Sequence, residues 1–171
     1  PHLDNIKLDI NGNRYAGWKQ ITVRDGIQQA AAGFELNVTD KWQSFGQRWP
    51  IRAGSECRLY LEDELLLSGY VDVHKASISE NDHSVSVSGR SASADMVDCS
   101  ALNSPGNWHK QSFKAIAESI ATPFGVVIDF QGNDRIIQKF ELDNGETAFE
   151  ALNRIAKKEQ LLITSNAKGQ L

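Results

Sequence analysis

The chain has few of the features that staple a small domain or anchor one in a membrane. It holds two cysteines, Cys57 and Cys99, in 171 residues. Two thiols make at most one bridge, so a disulfide framework is excluded and a reduced pair is expected, as in cytosolic proteins. No apolar run approaches the ~18 residues that a membrane helix needs. The first residues, Pro1-His2-Leu3-Asp4, lack the basic and apolar stretches of a signal peptide. The absence of a starting Met suggests a trimmed or engineered start. Low-complexity tracts and internal repeats are also missing. Basic charge is in short supply: 18 Lys and Arg stand against 22 Asp and Glu, a formal charge of −4. Residues 1–100 carry 14 acidic and 10 basic side chains, whereas residues 101–171 carry 8 of each. A protein that grips nucleic acid by its phosphates needs a basic face, so that class is disfavoured. An acidic wall past which DNA slides is compatible with the same balance.

Motifs of catalysis are equally scarce. His2, His74, His83 and His109 fall in no metal-ligating spacing and have no cysteine at zinc-ligand distance along the chain. The glycines form neither a dinucleotide fingerprint nor a phosphate-binding loop, and no nucleophile elbow occurs. Acidic groups occur at Asp4 with Asp9, at Glu62-Asp63-Glu64 and at Asp95 with Asp98. A glycosidase needs two carboxylates across a cleft. The 62–64 group reads instead as a solvated turn, and the i, i+3 pair at 95 and 98 as helix-end or ion-pair carboxylates. Cys99 lacks an identified base and reads as a small core thiol. The sequence thus implies no enzyme and no cofactor.

An apolar fraction of 40% with 23% charged residues is ordinary for a globular chain long enough to bury a core. Ile6, Leu8 and Ile10 alternate as a half-buried strand does, and Asn11-Gly12 is a strong type I′ hairpin signal. A second strand is expected from about Arg14 to Val23, broken in phase near Gly17, where a bulge or bend is implied. Residues 33–38, the Cys57, Leu59 and Leu61 alternation, residues 65–73, and Val85 with Val87 complete an expected meander of about six strands. Many short strands with regular turns imply a barrel or a sandwich. Trp18 reads as core, and a polar loop at about 39–54 carries Trp42 and Trp49.

After Gly89 the texture changes. Residues 91–99 suit a short helix, and residues 100–109 a connector with Trp108 sealing a junction. The boundary is placed there, giving domains 1–100 and 101–171. Phe113, Ile116, Ala117 and Ile120 form a helical stripe that Pro123 and Gly125 end. Thr147 and Glu150 fit a capping box ahead of Phe149, Leu152, Ile155 and Ala156, and Lys157 and Lys158 suit the helix C-terminus. Residues 126–130 read as a short apolar strand, 161–164 as a buried strand, 140–142 as an extended segment and 166–169 as a turn. The sequence ends at Leu171, where a returning strand is due, which implies a piece of a longer parent. The fold class is therefore α+β.

Several segments carry a resemblance. Tyr15-Ala16-Gly17-Trp18 precedes Ile21-Thr22-Val23 and Gly33-Phe34-Glu35-Leu36. Gly69-Tyr70-Val71-Asp72, Val87-Ser88-Gly89-Arg90 and Ala94-Asp95-Met96-Val97-Asp98-Cys99 follow. Pro123-Phe124-Gly125-Val126 and Glu146-Thr147-Ala148-Phe149-Glu150-Ala151-Leu152 come last. In this order and spacing the chain resembles the baseplate hub protein of Mu-like phages, which is related to the hubs of larger contractile phages and of type VI secretion spikes. The likeness runs from about residue 5 to 171, over the N-terminal half of the family protein, and is weakest at 39–54. It implies an antiparallel β-barrel of tail-tube type followed by a small α/β domain with two helices. It further implies a homotrimeric ring between the tail tube protein and the central spike protein, beside other baseplate proteins, with DNA only as passing cargo and no insertion into a membrane. The expected location is the virion, and the host cytoplasm during assembly. No catalytic residue is carried over.

Arg90, at the barrel exit, is expected to ion-pair with Asp95 or Asp98. Trp42 and Trp49 fit a subunit interface or an aromatic platform for sugar rings. The competing readings are a carbohydrate- or peptidoglycan-binding module using those tryptophans, and a hydrolase built on Asp95, Asp98 and Cys99.

Overall fold

A computed structural model describes residues 5–26, 30–39, 51–78, 83–101 and 106–171. The chain divides into two compact units, Pro1–Asp25 with Ala32–Ser91, and Gly26–Ala31 with Ala92–Leu171.

The first unit is a seven-stranded antiparallel sheet of β1 (Ile6–Ile10), β2 (Asn13–Tyr15), β3 (Gln20–Arg24), β4 (Gly33–Thr39), β5 (Glu56–Leu61), β6 (Glu64–Ile78) and β7 (His83–Ser91). Asn11 and Gly12 both take positive φ, 50° and 81°, and turn β1 into β2 as a type I′ hairpin requires. The strand order, β2-β1-β5-β6-β7-β4-β3, differs from the expected meander. Ile6, Leu8 and Ile10 sit opposite Leu61, Leu59 and Cys57, and Phe34, Leu36 and Val38 opposite Gly89, Val87 and Val85. These registers put every apolar alternate on one face, where Leu8, Leu36, Leu59, Leu67, Val71 and Val87 are fully buried. Trp18 joins that core as expected.

The single strand expected over 14–23 is instead two strands at opposite edges of the sheet. The break falls at residues 16–19, where Gly17 has φ +84°, open to glycine at no steric cost. This short link shapes the unit. In a flat sheet, six inter-strand spacings of ~4.8 Å would hold the edges roughly 29 Å apart. The five Cα steps from Tyr15 to Gln20 reach at most roughly 18 Å. The sheet must therefore roll until its edges approach. Among the described residues no ladder joins β2 to β3, so the expected closed barrel is an open, rolled sheet.

The ladder between β6 and β7 is irregular and close. The register slips between Val71 and Val73, leaving Asp72 as a bulge. At Gly69 an added Cβ would overlap the Arg90 carbonyl oxygen, and at Gly89 the Tyr70 carbonyl oxygen and the Phe34 ring. The two backbones approach so closely only because neither position has a side chain.

The second unit joins α1 (Ala94–Asp98), the β8 (Asn107–Ser112) and β9 (Ile136–Glu141) ribbon, α2 (Phe113–Ala121) and α3 (Ala148–Lys158). Ser112 caps α2 by accepting from the Ala115 amide at 3.2 Å. Thr147 and Glu150 form the full capping box of α3, at 3.1 and 2.9 Å. The Phe113, Ile116, Ala117 and Ile120 stripe packs against Leu152, Ile155 and Ala156 in one core. Residues 107–109 belong to β8 and not to a connector, and His109 is exposed there. Trp108 lies in this unit's own core, its ring centroid 5.7 Å from that of its cross-strand partner Phe140. Residues 126–130 and 161–164 are extended but belong to no strand, and Leu162 is 66% exposed where burial was expected. Their backbones have no neighbouring strand to complete a ladder among the described residues.

Candidate functional site

Asp4 lies outside the described residues, and the other carboxylates singled out from sequence are engaged in structural pairs or are exposed. Arg14 grips Asp9 with two hydrogen bonds, Nε to Oδ1 at 2.7 Å and a terminal nitrogen to Oδ2 at 2.8 Å. Hydrogen bonding to Arg14 holds the Asp9 carboxyl below its ordinary range, against a smaller opposing effect of burial. The 62–64 turn is exposed, and Asn5 Nδ2 donates to Glu62 Oε1 at 2.8 Å. Asp95 and Asp98 are exposed on α1 in the second unit. No group of three or more His, Cys, Asp and Glu suited to a metal ion occurs among the described residues.

Arg90 donates from Nε to Asp72 Oδ2 at 2.7 Å, so the bulge residue of β6 fixes the end of β7. Asp72 was not singled out as a site. Its signal lay in the sequence all the same, because residues 69–72 and 87–90, two of the segments that carry the resemblance, meet in one ladder, with Tyr70 opposite Arg90 and Val71 opposite Gly89. Trp42 and Trp49 lie outside the described residues. His74 is half-buried in β6, and its Nε2 has no hydrogen-bond partner among the described residues.

Both thiols are free. Cys99 is exposed, which corrects its reading as a core residue. Helix α1 is only five residues long, and Cys99 caps it with an extended backbone. Its main chain is occupied, the N–H donating to Asp95 and the carbonyl accepting from Ala148, while the side chain faces out. The buried thiol is Cys57, pushed up to about 12 mainly by burial and further by the Asp72 carboxylate. A thiol raised in this way is a poor nucleophile, so Cys57 is a core residue and not a reactive one.

What is built with care is architecture: a rolled sheet pinned by Gly69, Gly89 and the Arg90–Asp72 pair, and a capped helical unit. In that unit Arg154 reaches Glu146 at 2.6 Å and the Glu141 carbonyl at 2.8 Å, with its guanidinium 4.7 Å from the centre of the Phe140 ring. Comparison with known proteins agrees with an architectural role. Residues 5–91 match the family described as Mu phage baseplate assembly protein GpP-like, N-terminal. Residues 93–171 match the family of the baseplate hub protein gp44-like, second domain. The baseplate hub protein gp44 of Escherichia phage Mu is 29% identical over 174 residues, covering 98% of this chain and 45% of that protein. The 43 kDa tail protein of prophage MuSo2 from Shewanella oneidensis superposes with a TM-score of 0.86 at 32% identity, over 96% of this chain and 52% of that one. A tail protein from Neisseria meningitidis MC58 shares the fold, with a TM-score of 0.83 at 20% identity over 97% of this chain and 48% of its own. The chain thus spans about half the length of the relatives it matches. On two family matches that together run from residue 5 to 171, it belongs to the baseplate hub proteins of Mu-like phage tails.

Proposed function

We propose that this chain is a non-catalytic building block of the baseplate hub, part of a trimeric ring that joins the tail tube to the central spike and leaves a channel for DNA. The observation that carries the reading is the collinear family match over both units. A rolled seven-stranded sheet whose edges approach supports the barrel of tail-tube type. The acidic excess of residues 1–100 suits a wall that repels DNA and lets it slide. A fold-level likeness to an Escherichia coli type VI secretion component, with a TM-score of 0.60 at 13% identity, supports a shared contractile-system architecture. That component is described as structurally similar to the T4 bacteriophage tail proteins gp27 and gp5. Partners in this reading are copies of itself, the tube protein, the spike protein and other baseplate proteins, within the virion. Closed rings follow from a repeated heterologous contact, so mass is the decisive property. Light scattering coupled to size exclusion on the full-length parent is expected to give the mass of a trimer. A monomer mass over a wide concentration range, with the spike protein present, overturns the ring.

A further inference from the structure

In the second unit an apolar groove of about 290 Å³ lies between residues 126–131 and 161–166. Phe113, Ala117 and Leu152 line it, with Ile128, Phe130 and Ile163 along its sides. Both flanking segments alternate as strands do. Val126, Ile128 and Phe130 are buried or half-buried while Val127 is 57% exposed. Leu161 and Ile163 are half-buried while Leu162 faces out.

Two independent sets of hydrogen bonds describe what fits between them. The Leu171 amide donates to the Val127 carbonyl at 3.1 Å, and the Leu171 carbonyl accepts from the Asp129 amide at 2.7 Å. Bonds from one residue to both neighbours of Ile128 make one rung of a parallel ladder. On the other side, the Asn166 amide donates to the Gln170 carbonyl at 3.0 Å, and Asn166 Oδ1 accepts from the amides of Lys168 and Gln170 at 3.0 and 3.1 Å. Gly169, at φ +75°, completes this reversal, which sends the chain back antiparallel to residues 161–165. In a strand with a neighbour on each side, successive residues bond to opposite neighbours. Gln170 bonds toward one flank and Leu171 toward the other, so both sets specify the same strand in the same phase.

We infer that the groove seats a β-strand running on from Leu171, parallel to residues 126–130 and antiparallel to residues 161–165. This stands apart from the hub reading, because it rests only on the second unit's backbone. The relatives are about twice the length of this chain. The phase is fixed. The second and fourth residues after Leu171 face the apolar floor beside Phe130 and Ile163, and the first and third face out. The amides of Leu162, Thr164 and Gln131 donate into the strand, whereas those of Ile163 and Ser165 point away.

Site-resolved amide hydrogen exchange on the full-length parent tests this. Leu162, Thr164 and Gln131 are expected to exchange ~100-fold or more slowly than Ile163 and Ser165, as amides in a stable ladder do relative to solvated ones. Equal, unprotected rates at all five positions overturn the inference. Protection that appears only after another tail protein is added also overturns it, and gives the groove to a strand from a second chain.

Discussion

Two glycines of one sheet are expected to respond very differently to the same substitution. Gly69 faces Cys57 on one side and Ser91 on the other, so its backbone serves two ladders at once. An added Cβ would overlap the Arg90 carbonyl oxygen and stand 2.7 Å from both the Arg90 carbonyl carbon and the Ser91 Cα. These are backbone atoms and cannot rotate aside, so β7 must move away from β6. Overpacking of this kind costs ~1–3 kcal/mol, and one weakened ladder hydrogen bond adds about 1 kcal/mol. Replacing glycine by alanine in a strand returns ~0.5–1 kcal/mol. Gly69→Ala is thus expected to lose about 1–3.5 kcal/mol, a fall of roughly 2–14 °C in melting temperature for a chain of this size. Gly33 lies in the same sheet opposite Arg90, but there the nearest atoms to a new Cβ are the Gly89 oxygen at 3.6 Å and Arg90 Cγ at 3.8 Å, ordinary contacts. Gly33→Ala is expected to be neutral or to gain ~0.4–1 kcal/mol. Thermal and urea unfolding followed by circular dichroism reads both. A Gly69→Ala protein as stable as the parent, or a Gly33→Ala protein that falls as far, would refute the close-approach argument.

Four further outcomes follow from particular contacts. Thr147→Ala removes one arm of the capping box and is expected to cost about 1 kcal/mol, read by urea denaturation of the second unit. Alkylation of the native protein at mildly alkaline pH is expected to label Cys99 alone, with Cys57 reacting only after denaturation; mass spectrometry of the peptides decides it. Asp9→Asn removes the partner of Arg14. Because the folded carboxyl titrates below its ordinary value, its contribution is present above the unfolded pKa of ~3.9 and lost as the pH falls through the lower folded value. The variant is therefore expected to be up to ~1 kcal/mol less stable at neutral pH and equal to the parent in acid, a difference that salt shrinks. Arg154→Lys keeps the charge but not the planar fork on Glu146 and Phe140, and a lower melting temperature than the parent is expected.

Local features of the fold were legible because they depend on neighbours in sequence. Asn11-Gly12 has the backbone freedom that a type I′ turn demands, Thr147 and Glu150 are at capping-box spacing, and the α2 stripe repeats every three to four residues. Strand order was not legible. It depends on which alternating strands match in parity across long separations, as Leu8 matches Leu59 and Leu36 matches Val87. The same limit explains residues 161–164. Their composition is that of a buried strand, but burial and ladder come from neighbours on both sides, and alternation alone carries no information on those neighbours.

The site was legible in a different sense. Segments 69–72 and 87–90 are short and made of common residues, and neither has a chemistry of its own. Paired in β6 and β7, they place Gly69, Gly89, the Asp72 bulge and Arg90 at one crossing, where a glycine on each strand lets the backbones touch and an ion pair holds the result. The β6–β7 pairing depends on them jointly: bulk at either glycine forces the strands apart, and with the strands apart the bulge loses its partner. In a structural protein the counterpart of a catalytic constellation is a constellation of backbone constraints. In this chain it becomes readable only when segments remote in sequence are taken as a set.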